Sequence, residues 1–169
     1  MLESAADLFA ERGPAATSIR DIAARSSVNH GLIHRHFGSK DNLVGAVLDH
    51  LGQHLAELLT ADAEGGKIAA AVDRQLRVLA RASLDGYAIG ELQTRFPTME
   101  KLLEAVRERH ATELDARLAA AHTIALQLGW VLFGGFLRAS TGLEDLDDRT
   151  FAQSIGNTVG LIIDAQTPD

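Results

Sequence analysis

The sequence predicts an all-α protein, and three observations predict it. Apolar residues recur at three- and four-residue spacing in almost every segment, the period of a helix with one buried face. The two-residue alternation of a half-buried strand is absent. Prolines, which end or kink helices, occur only at Pro14, Pro97 and Pro168. A chain of 169 residues that is 46% hydrophobic has material for one large core or two small ones. It contains no cysteine, which excludes disulfide frameworks and thiolate metal sites and suits a reducing compartment.

The elements follow in order. Leu2, Ala5, Ala6 and Phe9 form a stripe that stops at Gly13–Pro14, so the first helix is expected over about 2–12. Thr17 or Ser18 caps the second, with Asp21 in the first turn, where a carboxylate favours the positive helix end. Ile19, Ile22 and Ala23 are its inward side. After a break at Ser26–Ser27 a third helix is expected from about Asn29 to Phe37, closed by Gly38. Ser39 then caps a long helix carrying Leu43, Val47, Leu51 and Leu55 to about Thr60. The stretch "ADAEGGK" (61–67) reads as a linker. Further helices are expected at about 67–84, near 87–94 and after Pro97. "TELD" (112–115) resembles a capping box that opens a long helix to about Ser140, with Thr141–Gly142 closing it. "LEDLDD" is an acidic loop, and the last helix is expected over about 149–165.

No targeting or membrane segment is expected. The start "MLESAADLFAERG" is amphipathic and acidic, unlike a signal peptide. The most apolar run, "IALQLGWVLFGGFL", has the length of a buried core helix and is short for a bilayer. The expectation is a cytoplasmic protein with no membrane partner.

Charge is unevenly distributed. The chain carries −7, but residues 1–54 hold 5 Lys/Arg against 6 Asp/Glu, net −1, and residues 55–169 hold 11 against 17, net −6. From Ile22 to Lys40 there is no acid, and "VNHGLIHRHFGSK" crowds three histidines, an arginine and a lysine together. Two short helices joined by a tight turn, the second polar outside, form a helix-turn-helix, whose second helix enters the DNA major groove. An acid there would face phosphate, which accounts for the missing Asp and Glu. The helix starts at Ser18 and Ser39 suit phosphate through their free N–H groups.

At these residues the sequence resembles the DNA-binding domain of the TetR family of bacterial transcription regulators. Phe9, Gly13, Thr17, Ser18, Ile22, Ala23, Val28, Gly31, Ile33, His36, Phe37, Ser39, Lys40 and Leu43 match its pattern at fixed spacing. The strong resemblance covers the first third of the chain. It implies a helix-turn-helix DNA-binding domain at 1–45 and a helical effector-binding and dimerisation domain at 46–169. Three departures stand out. Ser27 replaces the usual turn glycine, which adopts positive φ most easily. His34 replaces a tyrosine that often touches the DNA backbone in the family. Met1 falls where family members are already inside the first helix, so a basic N-terminal arm is expected to be missing from this chain.

Asn29, His30 and Leu32 are the expected base readers: Asn suits adenine and Leu a thymine methyl. Gly31 permits close backbone approach, and Arg20 reaches a guanine or a phosphate. Thr17, Ser18, His34, Arg35, His36 and Lys40 are phosphate candidates, although His36 has an equal claim to packing inside the domain. Val28, Ile33 and Phe37 should be core. His30/His34 and His50/His54 share the four-residue spacing of metal ligands, but no third ligand is evident, and no metal or other cofactor is expected. Because histidine changes charge near neutrality, DNA binding is expected to be tighter at about pH 6 than at about pH 8.

A helix-turn-helix reader of a palindromic operator works as a homodimer. Ala121, Ala125 and Gly129 repeat every four residues, as do Gly156 and Gly160 in the last helix. With Phe136, Phe151, Ile155, Val159 and Ile162 they form the expected dimer surface, a four-helix interface by the family resemblance. Core packing within one chain is the bland alternative. The resemblance also implies a small effector of unknown identity, largely apolar. Tyr87, Phe96, Met99, Trp130 and Phe133 are the candidate lining, with Arg95, His110 and Gln127 as polar groups. Effector binding would shift the fourth helix and change the recognition-helix spacing.

Two other readings remain open. A DNA-binding regulator without ligand control would have no such cavity. A helical-bundle enzyme or metal protein would need inward carboxylates and histidines. Glu104, Glu108, His110 and Glu113 are the nearest cluster, but they belong to the charged run "EAVRERHATELDAR", a solvated face without nucleophile, base and orienter. No catalytic residue is assigned.

Overall fold

The computed structural model describes residues 1–164. Every regular element among them is helical: α1 (Leu2–Arg12), α2 (Ile19–Ser26), α3 (His30–Phe37), α4 (Lys40–Thr60), α5 (Gly65–Leu84), α6 (Ile89–Leu92), α7 (Pro97–Arg107), α8 (Glu113–Thr141) and α9 (Asp148–Ile163). The expected starts and stops of α1 to α4 agree within a residue or two. The linker is shorter than expected, because Gly65 and Gly66 already belong to α5. Thr112 caps α8 by accepting the Asp115 N–H at 3.1 Å, but the return half of the expected box differs. The Asp115 carboxylate accepts the Thr112 hydroxyl, at 2.6 Å. Gly142, at φ 69°, closes α8. Residue 165, included in the expected last helix, lies outside the described residues.

The chain divides into two compact units, Met1–Thr98 and Met99–Asp169. In the first, Ala5, Ala6 and Phe9 of α1 meet Ile22 and Ala23 of α2, Ile33 of α3, and Leu43, Val44, Val47, Leu48 and Leu51 of α4. Residues i, i+3 and i+4 share one helix face, so these apolar stripes close on one another. Helix α5 adds Val78 and Ala82 to the same core. Helix α4 runs unbroken through residues 45 and 46, so the compact unit reaches well beyond the helix-turn-helix itself.

One face of α4 grips the segment after α6. A Cβ on Gly45 would overlap the carbonyl oxygen of Leu92. One turn on, the Asp49 carboxylate accepts the N–H groups of Thr94 and Arg95, both at 3.0 Å, and the Thr94 hydroxyl. One turn further, the Gly52 carbonyl accepts the Thr98 hydroxyl at 3.2 Å. Elsewhere Arg74 of α5 is tied to Glu3 at 2.7 Å and Asp7 at 2.8 Å, and His50 of α4 pairs with the same Glu3. Burial pushes the Glu3 carboxyl up, but its bonds to His50 and Arg74 prevail and hold it below the ordinary value.

In the second unit α8 and α9 pack together. Trp130 meets Phe151 edge-on, with ring centres 4.8 Å apart, and Arg138 lies over Phe151 at 5.1 Å. Arg138 also donates to the carbonyls of Leu143, Glu144 and Leu146, closing the acidic loop. Sequence reading took the apolar run as too short for a bilayer, which needs correction. It forms part of the 29-residue α8, a helix long and apolar enough to cross a membrane by length and composition alone, with mean hydropathy 1.4 over an 18-residue window. Only 11% of that window is buried within the chain.

Candidate nucleic-acid interface

Three capped helix starts shape the exposed end of the first unit. Ser18 accepts the Asp21 N–H at 3.1 Å while the Asp21 carboxylate accepts the Ser18 N–H at 2.8 Å, a reciprocal box. The Ser18 bonds, with Arg12 at 3.0 Å, hold the Asp21 carboxyl below its ordinary range. Ser39 caps α4 by accepting from the Asn42 N–H at 3.1 Å, and the Asn42 amide donates to the Phe37 carbonyl at 2.9 Å. Asn29 caps α3 by accepting from the Gly31 N–H at 2.8 Å. Asn29, expected only as a base reader, is therefore also the cap of α3. Its carboxamide oxygen serves the helix, while the NH2 group stays available.

The turn between α2 and α3 uses Ser27 in the left-handed region, at φ 55° and ψ 32°. The conformation expected of the usual glycine is therefore retained with a side chain in place. The Val28 N–H reaches back to the Ala23 carbonyl at 3.1 Å, which fixes the approach of α3 to α2.

Helix α3 buries Ile33 and half-buries Phe37, and Val28 just before it is also half-buried. It exposes His30, Gly31, Leu32, His34, Arg35 and His36, with Leu32 at 49%. His36 sits edge-on to Phe37, ring centres 4.6 Å apart, yet remains exposed. Arg20, on α2, lines a shallow depression with Asn29 and His30, so three of the expected DNA contacts come together. Ala24 and Ser27 share that rim and were missed. Ala24 stands four residues after Arg20, the spacing that places both on one face.

Thr17 is a correction. It is 1% exposed, its hydroxyl donates to the Gly13 carbonyl at 2.8 Å and its N–H to the Pro14 carbonyl at 3.1 Å. Its side chain closes the α1–α2 turn and is withdrawn from the phosphate set.

Cations sort by position. Arg12 pairs with Asp21, and Arg25 with Glu11 at 2.8 Å. Among the described residues Arg20, Arg35 and Lys40 enter no ion pair and no three His, Asp or Glu side chains gather as metal ligands. These three unpaired cations lie in or beside the acid-free stretch and at the Ser18 and Ser39 helix starts.

The candidate effector residues fall in both units. In the first, Tyr87 packs against the core, and burial, followed by the charges of Asp41 and Asp85, pushes its phenol above its ordinary value. Phe96 is exposed, and Arg95 is held by its backbone on Asp49. In the second, Met99, Gln127 and Trp130 are half-buried, and the His110 ring bonds to the Val106 carbonyl at 2.9 Å. Phe133 is 56% exposed, three residues before Phe136 at 70%. Of the expected dimer residues, Ala121, Ala125, Phe136 and Gly156 are exposed, while Gly129, Phe151, Ile155, Val159 and Ile162 are half-buried.

Comparison with known proteins agrees with this geometry. The family described as "Bacterial regulatory proteins, tetR family" matches residues 1–47. An HTH-type transcriptional repressor of Mycobacterium tuberculosis is 58% identical over 164 residues, 97% of this chain and 87% of that protein. The HTH-type transcriptional repressor KstR2 of Rhodococcus jostii is 46% identical over 48 residues, 28% of this chain and 24% of its own. A crystal structure of a TetR-family regulator from Streptomyces coelicolor shares 29% identity, covering 96% of this chain and 91% of that one, at a TM-score of 0.44. With 58% identity to the mycobacterial repressor sustained over 97% of its length, and the tetR-family match at residues 1–47, the chain belongs to the TetR family of bacterial helix-turn-helix transcriptional regulators.

Proposed function

We propose that the protein is a cytoplasmic homodimeric repressor that binds a palindromic DNA operator and is released by a small, largely apolar effector. The observation that carries the DNA reading is the outer surface of α2 and α3. It is free of acids from Ile22 to Lys40, holds the unpaired Arg20 and Arg35, and lies between the capped starts of α2 and α4. Arg20, Asn29, His30 and Leu32 read bases; Gly31 lets the backbone approach; Ser18, His34, Arg35, His36 and Lys40 hold phosphates. In this scheme residues 1–45 bind DNA and residues 46–169 carry dimerisation and effector control.

The dimer reading rests on α8. Leu114, Leu118, Ala121, Ala125, Gly129, Leu132 and Phe136 follow one another at four- and three-residue steps with an eleven-residue repeat. All but Gly129 are exposed in the single chain. Such a stripe, about 33 Å long at 1.5 Å per residue, is unfavourable in water and is covered by a second copy. Leu161 of α9, 73% exposed, adds to the apolar surface. An effector site within the second unit would draw on Met99, His110, Gln127, Trp130 and Phe133.

The test is selection of bound sequences from a random duplex library, followed by titration of the enriched duplex over a range of salt. Recovery of a palindrome, with affinity falling steeply as salt rises, is the expected result. A folded dimer that enriches nothing would remove the operator reading. The enriched duplex then becomes the probe for an effector screen by release of DNA.

A further inference from the structure

The corner that ends α5 stands behind the DNA-facing helix starts. Asp85, the residue that ends α5, lies seventy positions beyond the α1–α2 turn, yet its Oδ2 accepts the Ala15 N–H at 2.7 Å. A Cβ on Gly13 would stand 2.7 Å from the same oxygen, so the turn backbone lies directly on the carboxylate. Gly13, at φ +84°, adopts a conformation that L side chains rarely take. The turn is otherwise closed on itself by the two Thr17 bonds, to Gly13 and Pro14. Ser18, the cap of α2, follows with no intervening slack. Gly86, at φ +87°, then reverses the chain, and Tyr87 packs against the core. Burial, then the charges of Asp41 and Asp85, raise the Tyr87 phenol, and Asp41 belongs to the first turn of α4, the other serine-capped start.

We propose that Asp85 is a positioning residue for DNA binding: its carboxylate holds the α1–α2 turn so that the Ser18 end of α2 meets the phosphate backbone. The inference rests on the DNA face proposed above. A carboxylate close to that face opposes DNA binding by its charge. Its presence is accounted for by its service as a hydrogen-bond acceptor, and charge and acceptor can be separated by substitution. Asp85→Asn keeps an acceptor oxygen and removes the charge. Asp85→Ala removes both. Asp85→Glu keeps the charge and moves the acceptor by one methylene.

The experiment measures affinity of each folded full-length variant for the duplex enriched by the wild-type protein, with its salt dependence. Asp85→Asn should bind as tightly as wild type or more tightly. Asp85→Ala should bind about tenfold more weakly, the scale of one lost hydrogen bond. Its plot of log affinity against log salt should be shallower by about one, the loss of one phosphate contact. Charge alone makes the opposite prediction, since removing an acid tightens binding. Asp85→Ala binding as tightly as Asp85→Asn therefore overturns the proposal. If Asp85→Ala does not fold, Asp85→Glu, which carries the wild-type charge with a displaced acceptor, must bind more weakly than wild type, and equality overturns the proposal. Wild-type protein that enriches no duplex fails one step earlier and overturns the DNA face together with this inference.

Discussion

Single residues decide the geometry of the turn that presents α3. Ser27 sits in left-handed backbone that costs an L residue more than glycine. Ser27→Gly should therefore raise stability by about 0.5–1 kcal/mol, read as a higher urea midpoint with an unchanged slope. A lower midpoint would show that the serine hydroxyl contributes more than the strain costs. Residue roles were only partly legible in the sequence. Ser18 and Ser39 were readable as caps because a cap depends on positions three residues away. Thr17 was misread because its burial depends on how the whole turn folds back on Gly13, which spacing does not reveal. Asn29 was read for its chemistry toward bases, whereas its oxygen serves the local helix start first.

At the scale of elements, α4 is held by the segment after α6 and α8 by the end of α7. Gly45 has no room for a side chain beneath the Leu92 carbonyl. Gly45→Ala should destabilise the protein by about 1–3 kcal/mol despite alanine's better helix propensity, because backbone must move. A gain in thermal midpoint would contradict the close approach. Glu113, at the start of α8, accepts from Arg107 of α7 at 3.0 Å and from Arg117 at 2.8 Å. Those bonds, Arg107 first, lower its carboxyl from 4.5 to about 2. A carboxyl depressed in the folded state stabilises above its unfolded value, and that contribution is lost as pH falls toward the folded one. Between about pH 4.5 and about pH 2, wild type should lose more thermal stability than Glu113→Gln. Parallel losses would show that this cluster contributes nothing measurable, as exposed pairs often do.

At the scale of the whole molecule, the unresolved question for water is the apolar face of α8. In the dimer proposed above, a second copy covers that face, and a helix-turn-helix dimer reads two half-sites one DNA turn apart, about 34 Å. Phe136→Glu puts a charge at the C-terminal end of that stripe, in place of a phenylalanine that is 70% exposed. It should shift the protein to monomer in sedimentation and weaken binding to a palindrome far more than to a single half-site. A variant that remains dimeric would move the interface away from α8.

The sequence by itself determined the all-helical class, most helix boundaries, the acid-free stretch and the family pattern of the first third. These depend on periodicity, caps and charge within a few residues of one another, and such information is local. The tertiary structure alone decided that α5 completes the core beneath the helix-turn-helix and that Thr17 is withdrawn from the surface. It also decided that Arg20, Arg35 and Lys40 stay unpaired among the described residues while Arg12 and Arg25 do not. It alone brought Asp85 to the α1–α2 turn and Leu92 to Gly45. Thr17 depends on how a local turn folds back on itself; the α5, Asp85 and Leu92 contacts join positions far apart in the chain, and partners of that kind are set by packing, which no local pattern encodes.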